Sequence, residues 1–369
     1  MKAVAVFPRE REVRLIDIEE PQVTSGDEVK LRMLEVGVCG TDREICGFHY
    51  GTPPAGSDHL VIGHEALGEV VQVGPEVKGF KPGDLAVLTV RRPCGREDCA
   101  ACREGRQDFC YTGQFTERGI KERHGYMTQY VVDRERYLLK VPVELRDVAV
   151  LVEPLTIAEK ALIEVWQVQQ RLPWSCPLAG EKKPGHCHHA VILGAGPIGL
   201  LGAMAFANAG FSTFVYSKED AASDKAGLVS SIGATYVSAL DTPIDRLVDR
   251  VGTIDVVYEA TGASRLSFEV LKQMGPNAAF VFTGVPGLRG PAEVDTDQIM
   301  RNLVLKNQVL LGTVNAGMDA FEAALRDLAD FKRRWPGVIR SLMTGRYSMQ
   351  EYRTPLLSTD GIKNVIALG

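Results

Sequence analysis

The stretch Gly194-Ala195-Gly196-Pro197-Ile198-Gly199 constrains this chain more than any other. It follows the apolar run Ala190–Leu193 and opens an apolar segment that reads as a helix to about Asn208. A lone GxGxxG pattern is weak. Placed between a strand and a helix, it marks a turn whose glycines let a pyrophosphate approach the helix N-terminus. Gly194, Gly196, Pro197, Ile198 and Gly199 are therefore candidate cofactor contacts; a glycine-rich turn with no ligand is the alternative. Further β-like runs at Phe211–Tyr216, Ile254–Tyr258 and Ala278–Thr283 alternate with helix-like segments. That alternation predicts an α/β architecture with a parallel, doubly wound sheet.

The group that meets the cofactor ribose lies at the end of the second strand of such a sheet, and an acid there suits NAD. Here stand Ser217 and Lys218, followed by Glu219 and Asp220. A Lys beside a hydroxyl suits a 2′-phosphate, which favours NADP. A solvated Lys218, with Glu219 or Asp220 on the ribose, would favour NAD instead.

Residues 1 to about 150 have a different character. Short β-like runs at Val29–Val38, Ala66–Val73, Leu85–Val90 and Tyr126–Val132 are punctuated by turns such as Lys81-Pro82-Gly83-Asp84. They predict an irregular, mostly β domain. From Pro154 to about Gln170 the apolar spacing turns helical, with Ile157, Ala161, Leu162, Val165 and Trp166 on one face. Residues 171–186 read as a surface connection. After Gly312 come two helical segments, the clearer at Met318–Arg333, and a strand at Asn364–Leu368. These are expected to return to the first domain, giving 1–187 with 314–369 as one domain and 188–313 as the other. The 369 residues suit about two domains of roughly 150 residues.

Hydrophobic residues make up 45% and the net charge is −5, so nothing calls for nucleic acid or an anionic membrane. No apolar run reaches the ~18 residues of a membrane span. The N-terminus, Met1 to Pro8, reads as a short strand and lacks the apolar length of a signal peptide, so a cytoplasmic location is expected. The eight Cys are too few and too clustered for a disulfide scaffold, which points to metal or catalysis.

Gly63-His64-Glu65-Ala66-Leu67-Gly68 offers two adjacent metal donors between glycines. Cys39 stands in Gly37-Val38-Cys39-Gly40-Thr41-Asp42, and Glu153 precedes Pro154. Cys39, His64 and Glu153 make the open three-ligand set of a catalytic zinc, with Glu65 as a fourth or alternating ligand. Singly, each has a bland reading: a buried thiol, a core histidine, a carboxylate at a helix start. Thr41 could begin a proton relay, and His49 could pass the proton outward or be a surface histidine. Cys94, Cys99, Cys102 and Cys110 resemble a closed structural zinc site. The wide Cys94-to-Cys99 spacing leaves room for Glu97 or Asp98 to replace one thiolate. Gly185-His186-Cys187-His188-His189 looks metal-like but reads as a solvated connection.

The run from Gly63 through Gly74 to Val77, the Cys39 motif and the four-Cys lobe together resemble the zinc-containing medium-chain dehydrogenase/reductase superfamily. Within it the chain is similar to the glucose 1-dehydrogenases of archaea and some bacteria. The carrying stretches are Thr89–Pro93, Phe115–Ile120, His124–Met127, Glu153-Pro154-Leu155 with Glu159–Leu162, and Gly312–Asn315. Glu153, where alcohol dehydrogenases have Cys, points to the polyol and sugar branch. The resemblance implies a GroES-like domain with a Rossmann domain, assembled as a homodimer or homotetramer. It implies catalytic and structural Zn2+, NADP or NAD, and oxidation of β-D-glucose at C1 to gluconolactone. It further implies that Thr41 and Glu153 meet the sugar, that Asn315 lies near nicotinamide and sugar, and that Gln114 stands where members have a sugar-binding Glu. The alternatives are another polyol, sugar or secondary alcohol dehydrogenase, or a zinc-free reductase or non-catalytic nucleotide-binding relative.

Overall fold

The computed structural model describes residues 1–174, 176, 183–287 and 290–368. The chain forms two compact units. One contains Met1–Thr156, Asn315–Lys332 and Ile339–Gly369; the other contains Ile157–Val314 and Arg333–Val338. The first change of unit falls inside a helix, earlier than the 187/188 change expected from sequence.

The chain opens with β1 (Lys2–Phe7), β2 (Glu12–Asp17) and β3 (Glu28–Val38), followed by helix α1 (Gly40–Cys46). Next come β4 (Leu60–Val61), β5 (Glu65–Val73), β6 (Leu85–Leu88), β7 (Arg91–Arg92) and α2 (Ala100–Arg103). The strands β8 (Thr116–Arg118), β9 (Glu122–Arg123), β10 (Tyr130–Arg134) and β11 (Leu138–Val141) lead to α3 (Val152–Gln169). Strand β3 is the spine. It is buried along nearly its whole length, as its run of Val, Leu and Met requires, and pairs antiparallel with β5, β10 and a C-terminal strand. Val4, Leu31, Met33, Val70, Leu88 and Met127 are among the residues of its core.

The expected strand at Tyr126–Val132 forms only from Tyr130. Upstream, the Tyr126 and Met127 amides donate instead to the carbonyls of Gly63 and Ile62, both at 2.9 Å. This loop therefore braces the His64 segment rather than extending a sheet.

The second unit alternates β12 (His189–Leu193), α4 (Pro197–Asn208), β13 (Ser212–Ser217), α5 (Asp224–Ser231) and β14 (Thr235–Ser238). It continues with α6 (Leu247–Val251), β15 (Val256–Glu259), α7 (Ser264–Leu271), β16 (Ala279–Phe282), α8 (Thr296–Leu305) and β17 (Val309–Gly312). The six strands are parallel, in the order β14-β13-β12-β15-β16-β17. That is the order of a doubly wound dinucleotide-binding sheet, with its switch point between β12 and β15. Helix α4 is apolar nearly throughout because it is buried on most sides, including Leu200, Leu201, Met204 and Phe206. Glu259, at the end of β15, accepts from the Thr261 and Gly262 amides at 2.6 and 2.8 Å and from Gly284 at 3.1 Å. It ties the turns after β15 and β16 together.

The connection expected over 171–186 lies partly outside the described residues. Its described part is not simply solvated. Cys176 and Cys187 form a disulfide, and His188 stacks on Trp174 at 4.2 Å. The expectation of no disulfide framework thus meets one local bridge, between Cys 11 residues apart.

The chain then adds α9 (Met318–Arg334), α10 (Pro336–Ser341), β18 (Met343–Ser348), α11 (Arg353–Leu357) and β19 (Lys363–Ala367). Strand β19 joins β3, with Asn364 opposite Val38. Among the described residues, no helix is long and apolar enough to cross a membrane.

Behind β3, Asp133 sits between two guanidinium groups. Arg92 donates to its Oδ2 at 2.5 Å and Arg118 at 2.7 Å, and all three side chains are largely buried. Burial alone would raise the Asp133 pKa, but Arg118 and Arg92 outweigh it and hold the carboxyl below the usual range. Its stabilisation is therefore full above the ordinary carboxylate pKa of about 4 and is lost as pH falls through the lower folded value. Asp133→Asn leaves two buried cations unpaired and should lower unfolding free energy by about 3–5 kcal/mol. Denaturant titrations at several pH values should also show a shallower acid dependence than in the parent protein.

Candidate active site and metal centres

Strand β3 ends at Val38, so Cys39 becomes the N-cap of α1. Asp42, fully buried, accepts the Cys39 amide at 2.9 Å on one oxygen and the Gly63 amide at 3.2 Å on the other. It lies 3.4 Å from His64 Nδ1, a charge contact too long for a good hydrogen bond. One carboxylate thus fixes two ligand segments. Gly63 has φ +89°, and a Cβ there would meet Met127 Cγ at 2.6 Å. The chain can turn into His64 only through glycine.

Ligand atoms of Cys39, His64 and Glu65 lie within 4.8 Å of one another. Zinc, with bonds of about 2.0–2.3 Å to S, N and O, spans that separation. The buried His64 Nδ1 has no hydrogen-bond partner. It faces Asp42, as a metal-bound imidazole with a carboxylate behind it does. The donor set therefore fits a catalytic zinc. Burial works against a charged His64 ring. The Asp42 carboxylate and the Cys39 thiol outweigh it and hold the pKa well above its ordinary value. A metal must displace that proton.

Glu65 has a partner that sequence reasoning did not anticipate. Lys363, on β19, donates to both Glu65 oxygens at 2.7 and 2.6 Å and to the Val38 carbonyl at 3.2 Å. Each side chain is 1% exposed. Glu65 can join a metal only by sharing or leaving this ion pair. Glu153, in the first turn of α3, is buried but does not join the 4.8 Å cluster. Burial first, then the Glu65 and Asp42 carboxylates, raise its pKa to about 7 against the pull of His64 and Lys363.

The Thr41 hydroxyl lies 3.9 Å from Cys39 Sγ. His49 and Gln114 are exposed. Asn315 adopts a left-handed φ of +59° and donates to Glu117 Oε1 at 3.1 Å. Glu117 is itself buried and held by Arg91, whose guanidinium lies 3.6 Å over the Phe115 ring. This Arg91–Glu117–Asn315 chain was also missed, because its members come from distant segments.

Cys94, Cys99, Cys102 and Cys110 also gather within 4.8 Å. Asp98 is turned away to Arg96 at 2.8 and 2.5 Å, so all four donors of the cluster are thiols. Burial pushes Cys102 up to about 12, whereas hydrogen bonds from Thr112 outweigh burial and bring Cys110 down to about 6. A thiolate beside thiols suits a cation.

In the second unit, Gly196 caps α4 and Pro197 opens it. A Cβ on Gly199 would meet the Gly194 carbonyl at 2.0 Å, so helix and strand can approach only with glycine there. At the end of β13, Lys218 is exposed. The Ser217 hydroxyl donates to Glu219, which also accepts from Lys225 at 2.7 Å. Ser217 is thus engaged by Glu219 rather than standing free beside Lys218.

The pattern of the alcohol dehydrogenase GroES-like domain matches residues 25–143, and that of the glucose dehydrogenase C-terminus matches residues 146–368. A glucose 1-dehydrogenase of Methanocella arvoryzae is 37% identical, over the full length of both chains. The chain belongs to the glucose dehydrogenase family of zinc-containing medium-chain dehydrogenases. Glucose 1-dehydrogenase 2 of Vulcanisaeta moutnovskia is 38% identical over 100% of this chain and 99% of its own. Among solved structures, the Haloferax mediterranei glucose dehydrogenase in complex with NADP, Zn and gluconolactone matches with a TM-score of 0.88. It is 32% identical and covers 100% of this chain and 99% of its own. The GroES-like and Rossmann-like architecture expected from sequence is thus present.

In this family member, Cys102→Ser should reduce bound zinc by about one ion per subunit and lower the melting temperature, because a closed metal site contributes folding free energy. Elemental analysis with thermal unfolding tests it; unchanged metal content would remove the lobe as a zinc site.

Proposed function

We propose that this chain is a zinc-dependent glucose 1-dehydrogenase. It oxidises β-D-glucose at C1 to D-glucono-1,5-lactone and delivers the hydride to NADP or NAD. The observation that carries this reading is full-length similarity to glucose dehydrogenases, one of them solved with NADP, zinc and gluconolactone together. Catalysis falls to residues 1–187 with 314–369, and nucleotide binding to 188–313.

Cys39, His64 and Glu153, with Glu65 beside them, would hold a zinc ion, which would supply Lewis acidity to the sugar hydroxyl. Thr41 begins a proton relay, accepting the sugar hydroxyl proton as its own passes on toward solvent, and Asn315, oriented by Glu117, meets sugar and nicotinamide. Gln114, exposed near the lobe, offers an amide to sugar hydroxyls. Gly194, Gly196, Pro197, Ile198 and Gly199 hold the pyrophosphate, while Ser217 and Lys218 meet the far ribose. The cofactor performs the redox step, and the protein supplies position and electrostatics.

The assembly proposed is a homodimer or homotetramer. Its support is the exposed apolar set Met300, Val304 and Leu305 on α8 with Leu310 on β17, the edge strand of the parallel sheet. The location proposed is cytoplasmic, supported by Cys that gather in metal-type clusters, with the Cys176–Cys187 bridge the one disulfide among the described residues.

Initial rates with glucose, galactose, xylose and sorbitol, each with NADP and NAD, test the function; a preference for sorbitol over every aldose would transfer it to the polyol dehydrogenases. Glu153→Ala should fold normally and lose turnover by orders of magnitude, since the Lewis acid is misplaced or lost. Near-native turnover would take Glu153 out of the site.

Lys218→Asp tests cofactor choice. A hydrogen bond to a charged group contributes roughly tenfold or more in affinity, toward the low end at an exposed position. The KM for NADP should rise about tenfold with turnover nearly unchanged, because the contact is remote from the reacting carbon. An unchanged NADP-to-NAD preference would leave Lys218 a solvated residue.

A further inference from the structure

The first unit contains a cavity of about 440 Å³ that belongs to neither metal cluster. Its volume lies within the range of ligand pockets, roughly 300–1,000 Å³. Val13 of β2, Phe48 after α1, and Tyr352 and Leu356 at α11 supply an apolar lining. Two guanidinium groups, Arg11 and Arg353, also line it, and both residues are exposed. Among the described residues neither forms an ion pair, and Arg353 bonds only to the Tyr352 hydroxyl, at 3.1 Å. The one acid at the cavity, Glu12, is taken by Arg14. The cavity therefore joins apolar walls to two guanidinium groups outside any ion pair, although the Glu12 carboxylate also acts on Arg353.

A second observation is independent of volume. Arg11 and Phe48, from separate segments, both have left-handed backbone, with φ of +55° and +62°. The Arg11 guanidinium lies 5.0 Å from the Phe48 ring centroid. Left-handed backbone on a bulky aromatic residue is rare, and such strain gathers at ligand clamps and active sites. Here two such residues meet at one cavity outside the proposed catalytic machinery.

We propose that this cavity binds a small amphipathic carboxylate, its tail against Phe48, Tyr352 and Leu356 and its head at Arg11 and Arg353. Guanidinium groups match a carboxylate in shape and charge, and an apolar tail is driven from water by the lining. A sugar, polar on all sides, suits such walls poorly.

Calorimetric titration of the full chain with decanoate, and with decanol as its neutral counterpart, tests the assignment. Saturable binding of one decanoate per chain is expected, with decanol about tenfold weaker. Arg11→Ala with Arg353→Ala should reduce decanoate to the affinity of decanol and leave decanol unchanged. Val13→Trp should fill the cavity and abolish both while sugar oxidation continues. Leu357→Asp, at a lining position 73% exposed, should weaken decanoate more than decanol and serves if Val13→Trp does not fold. Absence of saturable binding, equal affinity for decanoate and decanol, or full binding in a folded Val13→Trp protein would each overturn the proposal. A change of subunit number in Val13→Trp would assign this face to contact between copies instead, and would likewise overturn it.

Discussion

The buried ion pair between Lys363 and Glu65 governs the first unit. Two charges removed from water cost several kcal/mol each unless they meet in good geometry, and here one ammonium reaches both carboxylate oxygens and a backbone carbonyl. The pair also fixes strand order. Glu65 begins β5 and Lys363 begins β19, and these strands flank β3, placing the two side chains together across it. Gly37, opposite Glu65, leaves the space: a Cβ there would stand 2.2 Å from Glu65 Oε2. Cys39 leaves the sheet at this point, so the thiol inherits its position from the pair.

Around that fixed point, charge is arranged to favour a divalent cation. Asp42, Glu65 and Glu153 are all buried, and Lys363, paired with Glu65, is buried with them. Asp42 raises the His64 pKa, and burial with the neighbouring acids raises that of Glu153. A zinc ion would supply one centre of positive charge and leave Asp42 and Lys363 as outer braces, orienting ligands without contacting the metal.

Much of this was legible in sequence, because the parts assigned to cofactor and metal are local. The glycines at 194, 196 and 199, the His64-Glu65 step and the four-Cys lobe each lie within one short stretch. The strand runs of the doubly wound sheet were legible because buried parallel strands are continuously apolar. The missed parts depend on partners far away in sequence. Lys363 is 298 residues from Glu65, and Asn315 is 198 from Glu117. Neither carries a local signal. Asp42 was nearer to hand: an acid three residues after the residue that caps a helix is the spacing of a capping box. The loop at Tyr126 misled because its residues are β-formers, yet their amides satisfy the backbone of the His64 segment instead of a sheet.

The position of Lys363 in the last strand also sets an order of assembly. As the chain is made, β3 and β5 precede β19, and Glu65 lacks this counter-charge until Lys363 follows. An acid that cannot be buried unpaired keeps that corner of the sheet open to water. Only when β19 docks does the corner close. The corner of the sheet beside Cys39 and His64 therefore closes only after the residues of the second unit have been made.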